Sequence, residues 1–396
     1  MRFFGLRLAV WLRFWIGLSG VFLGLVGLFG ILGIGGFSGT ANAQDIHVAQ
    51  IGPFTGLPSP DAHEIHAGAL AYFAKINAAG GVSGRQLTLT KFDDGFNGDG
   101  FIKQLAAVKA EKKFAALLSP IGSAGIGRAL KEQLLDDANL IVINAVPGSD
   151  ALRNPGHPSL FHVRAGDAKQ LERVVLHAKV LDYKKMMVLY HDLPIGVVGL
   201  ASIKAIAEKV GVRIASVMSS QDVTAITAAS KEVAKQGDFD AVVVIGSPKF
   251  SADSVAQLRT AGVRQQLYTL SYATPELITK VAGKENALGV GIIQTYPNPR
   301  SRITQIQRDF QTVMTAHAPD IKNYSPFHFE GYLCARILVQ AIKTAGGRTT
   351  PQALRAAMHD MGPMTFGDFI VDFSKSNIGG SWTDIAVITR DGTLRY

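Results

Sequence analysis

Short apolar runs alternate along this chain with longer stretches whose apolar residues recur every three or four positions. Residues 46–51 read as a buried strand, and 64–79, with Ile65, Leu70, Phe73 and Ile76 at helical spacing, as a helix stopped by Gly80 and Gly81. The same rhythm predicts strands at 86–92, 114–118 and 140–143, with helices at 98–112 and 125–136 between them. This βαβαβαβ order predicts a parallel sheet covered by helices on both faces. Pro147-Gly148, Asn154-Pro155-Gly156 and Pro158 then break the pattern. A short strand at 160–164 follows, where the chain is expected to cross to a second lobe, and Asp167 is placed to cap a helix over 168–181.

The alternation restarts in the second half. Strands are predicted at 186–189, 212–217, 241–245, 267–270 and 289–293, with helices at 197–210, 225–236, 252–260 and 275–281. Helices at 303–316, 329–345 and 351–357, then strands at 369–373 and 385–389, close the chain. The expected fold is therefore α/β, with two doubly wound parallel-sheet lobes joined by several crossings and a cleft between them as the default site.

Composition changes this picture at one end only. The first 43 residues carry Arg2, Arg7 and Arg13, an apolar run over 14–37 and the ending Ala41-Asn42-Ala43, with no acidic residue. This is the pattern of a secretory signal, cleaved before Gln44. The run is also long enough to span a bilayer, so an uncleaved anchor is the alternative. The remaining chain has no second such run and is expected to be soluble in a periplasm. The single cysteine, Cys334, excludes an internal disulfide and a paired-cysteine metal or redox site, and no cysteine follows the signal to carry a lipid. The net charge of +9 is scattered rather than striped, which argues against a nucleic-acid partner.

Catalytic patterns are absent. His63-Glu64-Ile65-His66 spaces its histidines three apart rather than as H-E-x-x-H, and no third metal ligand is evident. Gly122-Ser123-Ala124-Gly125 is not G-x-S-x-G, and no phosphate-binding glycine motif occurs. Asp93-Asp94 at a strand end reads as a terminator more than as a cation site. No enzyme, cofactor or metal is expected. The turn of Ser119 to Ser123 is more informative: it joins a buried strand to a helix, with Ser123 expected at the N-cap. Backbone amides and a hydroxyl converge there on a point that favours negative charge. In an open α/β sheet that point lies at the carboxyl ends of the strands. The turn holding Phe54 and the loop holding Val146, Gly148 and Ser149 end at the same edge. Equivalent loops of the second lobe bring His191, Asp192, Ile195, Lys249, Phe250, Ser271 and Tyr272.

These residues resemble the periplasmic leucine/isoleucine/valine-binding proteins of ABC importers. The resemblance lies in Gly52-Pro53-Phe54-Thr55-Gly56, Gly68-Ala69-Leu70-Ala71, the run from Ile76 to Arg85, and Asp93-Asp94. It extends more weakly over the mature chain, through Arg164, Asp167, Gln170 and residues 257–262. It implies a Venus-flytrap fold with three crossing strands and a ligand enclosed by hinge closure. The implied division gives 44–163 with 294–363 to the first lobe, and 164–293 with 364–396 to the second. Ser123 takes the position of the family's ligand serine, while Val146 and Gly148 take its backbone-contact positions. Three departures stand out: the family's usual threonine is missing from 144–149, its Tyr-Gly becomes Ile195-Gly196, and the position near Ser271-Tyr272 where the family's acidic residue aligns holds no carboxylate to pair with an ammonium. Asp192 alone is placed to substitute. Burying an ammonium without a counter-charge is costly, so such a site disfavours amino acids. The expectation is a monomeric periplasmic solute-binding protein that delivers a small ligand to an ABC permease. That ligand, captured between the two lobes by hinge closure, is expected to be a small carboxylate-bearing molecule (branched-chain amino acid-like or an aromatic acid) or an amide. A ligand-sensing subunit of a membrane receptor or kinase is the alternative.

Overall fold

The computed structural model describes residues 44–55, 61–136 and 140–396; the expected signal segment and Gly56 lie outside them. The first alternating half forms β1 (Ile46–Gly52), α1 (Asp61–Ala78), β2 (Leu87–Asp93), α2 (Gly98–Glu111), β3 (Phe114–Leu118), α3 (Ser123–Lys131), β4 (Ile141–Ile143) and β5 (Leu160–Phe161). Its five strands are all parallel, in the order β2-β1-β3-β4-β5. Alternate residues of β1 serve opposite faces. Ile46 and Val48 enter one core cluster, and Ala49 and Ile51 enter another beneath α2 and α3.

The second half gives α4 (Asp167–Val180), β6 (Lys185–His191), α5 (Pro194–Val210), β7 (Arg213–Ser219), α6 (Val223–Gln236), β8 (Ala241–Ile245), α7 (Pro248–Thr260), β9 (Gln266–Thr269), α8 (Pro275–Ala282), α9 (Lys284–Ala287) and β10 (Gly291–Gln294). Its parallel strands run β7-β6-β8-β9-β10, which is the order of the first sheet shifted along the chain. The two lobes thus share a topology without sharing a sequence.

The return segment supplies α10 (Gln305–His317), α11 (Pro326–Thr344), α12 (Pro351–Asp360), a hairpin of β11 (Met364–Phe366) and β12 (Phe369–Val371), and β13 (Asp384–Ile388) with β14 (Leu394–Arg395). Strands β13 and β14 extend the second sheet in antiparallel fashion. Residues 364–373 were expected with the second lobe, yet Phe366, Phe369, Val371 and Phe373 are buried in the first lobe's core. An apolar hairpin follows the nearest apolar surface rather than the next sheet in sequence.

Helix α11 is the axis of the first lobe, buried along nearly its whole length and carrying the buried Cys334. It crosses α1 at glycines. A Cβ on Gly68 would lie 1.9 Å from the His328 carbonyl oxygen, and one on Gly331 would lie 1.9 Å from that of Ile65. The Gly68-Ala69 string therefore has a packing reason: only a hydrogen at these positions lets the backbones approach so closely. Among the described residues, no helix is long and apolar enough to cross a membrane.

Four helix starts differ from the sequence expectation. Helix α3 is capped by Gly122 at φ 103°, a left-handed position suited to glycine, so Ser123 is its first residue and makes no capping bond. Gly166 likewise precedes α4, leaving Asp167 inside the first turn. Helices α5 and α7 begin at Pro194 and Pro248, because a proline ring is preorganised for the first helical position. Ile195 and Phe250 are accordingly helical rather than in loops.

Candidate functional site

In a sheet ordered 2-1-3-4-5 the crevice opens at the carboxyl ends of the first and third strands. In the first lobe these ends carry Phe54 and the Ser119–Ser123 turn. The loops are laced together: the Ile121 amide donates to the Ile51 carbonyl at 3.3 Å, and the Val146 amide donates to Pro120 at 3.0 Å. Beneath them Ala62, Ile65, Ile121, Val146 and Phe327 form a small apolar cluster, with Phe54 packed against it. Thr55 is tied to Asp93, donating through its amide at 3.1 Å and its hydroxyl at 2.5 Å, which holds the Asp93 carboxyl below its ordinary range. Asp94 accepts from the Phe96 amide at 2.8 Å. The acidic pair thus terminates β2 and anchors the neighbouring turn.

His63 and His66 serve the same turn. His63 donates to the Phe54 carbonyl at 2.8 Å, and His66 is buried against Gln50 at 2.9 Å, with burial pulling its pKa down to about 4. Among the described residues no group of histidine, cysteine and carboxylate side chains is arranged to hold a metal.

The densest polar network lies where the chain crosses between lobes, and sequence reasoning left its central members unassigned. Arg164, between β5 and α4, is 1% exposed and donates to Glu330 of α11 at 2.5 Å. Its second nitrogen donates to the Ser271 hydroxyl at 2.6 Å. Glu330 also accepts from Asn144 at 2.7 Å, and Asn144 accepts from the Arg164 amide at 2.8 Å. Burial pushes the Glu330 carboxyl up while Arg164 pulls it back. The guanidinium lies 5.2 Å from the Tyr272 ring centre and 5.6 Å from that of Phe327. Ser271 donates through amide and hydroxyl to Gln170 at 3.0 and 2.8 Å. The Tyr272 hydroxyl accepts from the Gly148 amide at 2.6 Å and donates to Asp167 at 2.5 Å. Arg153 pins the Gly148 loop by donating to the carbonyls of Pro147 and Ser149 at 3.0 and 3.2 Å.

The expected site residues therefore fall into four groups. Phe54, Val146, Gly148, Ser271 and Tyr272 surround the network and the adjoining apolar cluster. Ser123 is exposed at the start of α3, where the first amides have no intrahelical partner. Ser149 is half-buried and Ile195 half-buried at the start of α5. Phe250 is 0% exposed and stacked on His191 at 4.5 Å within the second lobe's core. Its place at the strand end was legible in the sequence, but its direction was not. The backbone amides of Val146 and Gly148 both already have partners within the protein.

A crevice of about 30 Å³ adjoins the network, lined by residues that include Ser271, Glu276, Ser325 and Phe327. Glu64 of α1 accepts from the hydroxyl of Ser325 at 2.6 Å, and burial raises its pKa to about 7. Asp61, 6% exposed at the start of α1, is raised to about 6 for the same reason. A larger open groove of about 950 Å³ near Ile303, Trp382 and Tyr396 contains none of the expected residues.

The chain matches the model of a family described as periplasmic binding protein over residues 45–383. A solved extracellular ligand-binding receptor from Verminephrobacter eiseniae is 42% identical, with a TM-score of 0.84, over 89% of this chain and 100% of that one. A substrate-binding periplasmic protein from Ralstonia solanacearum is 23% identical, with a TM-score of 0.79, over 88% and 99%. A leucine-binding protein from Thermotoga maritima has the same fold at 18% identity, with a TM-score of 0.76, over 88% and 97%. No curated protein matches significantly.

Proposed function

The chain belongs to the periplasmic binding protein family, and from that premise we propose that it is the solute-binding component of an ABC importer. It captures a small ligand between its two lobes and presents the closed form to a membrane permease. Residues 1–43 act as the export signal, and the mature chain is a monomer that begins at Gln44.

The observation that carries this reading is the convergence of equivalent loops from both lobes. Loops after β4 and β9 meet at Gly148 and Tyr272, next to a crossing segment whose Arg164 reaches both Glu330 and Ser271. Such an arrangement suits capture by hinge closure: contacts from both lobes shift an open population toward the closed one. The exposed first turn of α3 receives the acid group of the ligand through its amides and the Ser123 hydroxyl. Phe54, Val146 and Phe327 supply an apolar wall for the remainder. The network contains charges already paired or hydrogen-bonded and no assembled nucleophile, base and orienting group, which supports binding rather than turnover.

A thermal-shift screen of the mature protein against organic acids, their amides and amino acids tests the reading. At least one compound should raise the unfolding temperature in a concentration-dependent manner, since a ligand at 100 times its Kd adds about 2.7 kcal/mol. A protein that responds to none of them, and that does not co-purify with a permease, is not this kind of carrier.

A further inference from the structure

We propose that Tyr272 is a specificity-determining residue that disfavours α-amino acids in the cleft by occupying the corner between the Gly148 amide and one oxygen of the Asp167 carboxylate. This inference rests on the solute-binding reading. One phenol hydroxyl bridges the Gly148 amide, at 2.6 Å, and the Asp167 carboxylate, at 2.5 Å. The amide is a donor suited to a ligand carboxylate, and the carboxylate is an acceptor suited to an ammonium. They lie side by side: a Cβ on Gly148 would sit 2.1 Å from the Asp167 oxygen and 2.5 Å from the Tyr272 hydroxyl. A donor and an acceptor bridged by a single hydroxyl form a corner of the kind that holds a zwitterion.

Tyr272 is fixed in the corner at three points. Its hydroxyl is bonded on both sides, and its ring lies under the Arg164 guanidinium. Arg164 is in turn held by Glu330 and by the Ser271 hydroxyl, so the ring cannot swing aside without disturbing the crossing network. The other backbone donor, Val146, is spent on Pro120. A ligand acid group is left with the α3 terminus, and an α-ammonium finds the Asp167 oxygen that faces Gly148 already taken by Tyr272 and by Gln170. The cleft thereby favours acids without an α-amino group over amino acids of the same shape.

L-Leucine and isocaproate, which differ by that amino group, are the probes. Isothermal titration of the native protein should show leucine binding no tighter than isocaproate. In Tyr272→Ala the corner opens, and leucine should gain at least about tenfold relative to isocaproate. Adding Asp167→Asn to Tyr272→Ala should abolish that gain, because the ammonium then loses its counter-charge. Tyr272→Ser, whose hydroxyl is too short to bridge the two partners, serves where the alanine variant does not fold. A merely structural loosening of the cleft would move both probes together and would be insensitive to Asp167, so an unchanged ratio overturns the proposal. A native preference for leucine overturns it as well. A native protein that takes other compounds of the screen while Tyr272→Ala gains no leucine refutes this inference alone; a protein that binds none of them loses the carrier reading too.

Discussion

Ser123 and Glu64 show how the surroundings of a residue set its consequences. Ser123 is exposed and makes no cap bond, so its hydroxyl is not required by α3. Ser123→Ala should leave thermal unfolding unchanged within experimental scatter while weakening ligand binding by about 1–3 kcal/mol, as read by titration with a screen hit. Glu64 presents the opposite case. Its folded pKa of about 7 lies above its ordinary value of 4.5, so the native state holds a proton that the unfolded chain has released between those pH values. Stability contributed by the protonated form is present below pH 4.5 and is lost as pH rises through 7. Glu64→Gln should therefore raise the unfolding temperature at pH 8 by an amount on the order of 2 kcal/mol in stability, with little effect at pH 4.5. Denaturant titrations at the two pH values check this; equal effects at both would show that Ser325 and local relaxation already stabilise the carboxylate. Neither outcome could be assigned from sequence. His63-Glu64-Ile65-His66 looks like a metal motif until packing assigns one histidine to Phe54, the other to Gln50 and the glutamate to Ser325.

At the scale of elements, hydrophobic periodicity located the parallel strands and the longer helices of both lobes, because buried runs and helical stripes are local properties, but it missed the short α9, β11 and β14. The ends of the helices were less legible. Gly122, Gly166, Pro194 and Pro248 set the starts of α3, α4, α5 and α7, where the chain direction is decided by backbone geometry rather than by the apolar pattern. That shift put Phe250 into a helix whose face is core. The α1–α11 crossing offers the clearest test at this scale. Gly68→Ala would push a methyl group into the His328 carbonyl, and a helix backbone cannot give way as a flexible side chain does. The two helices must separate, at a cost of about 1–3 kcal/mol. Thermal unfolding should show the loss, whereas Ala→Gly changes on exposed turns of α1 should act only through helix propensity. A fully stable Gly68→Ala protein would show that α1 can slide on α11 without penalty.

For the molecule as a whole, the crossing network is the decisive feature. Arg164 belongs to neither sheet, yet it is bonded to α11 of one lobe and to Ser271 of the other. Removing its counter-charge by Glu330→Ala leaves a buried cation unpaired and strands Asn144, which should destabilise the protein by about 3–5 kcal/mol in denaturant unfolding. Because the same residue holds Ser271 and lies over Tyr272, the ligand selectivity of the variant should change along with its stability. A variant that lost stability while retaining its full ligand profile would separate the hinge from the site. The sequence by itself determined the α/β class, the restart of the alternation in a second lobe, the membership of a periplasmic binding protein family and the strand ends that carry the candidate site. These follow from local periodicity and from a contiguous string of residues. Only the tertiary structure decided which of those strand-end groups remain available. Gly148 and Tyr272 are more than a hundred residues apart, and the bond between them exists because two separate sheets bring their corresponding loops to one point. Hydrogen-bond donors are consumed pairwise in space, and no pattern along a single chain records which partner has been reached.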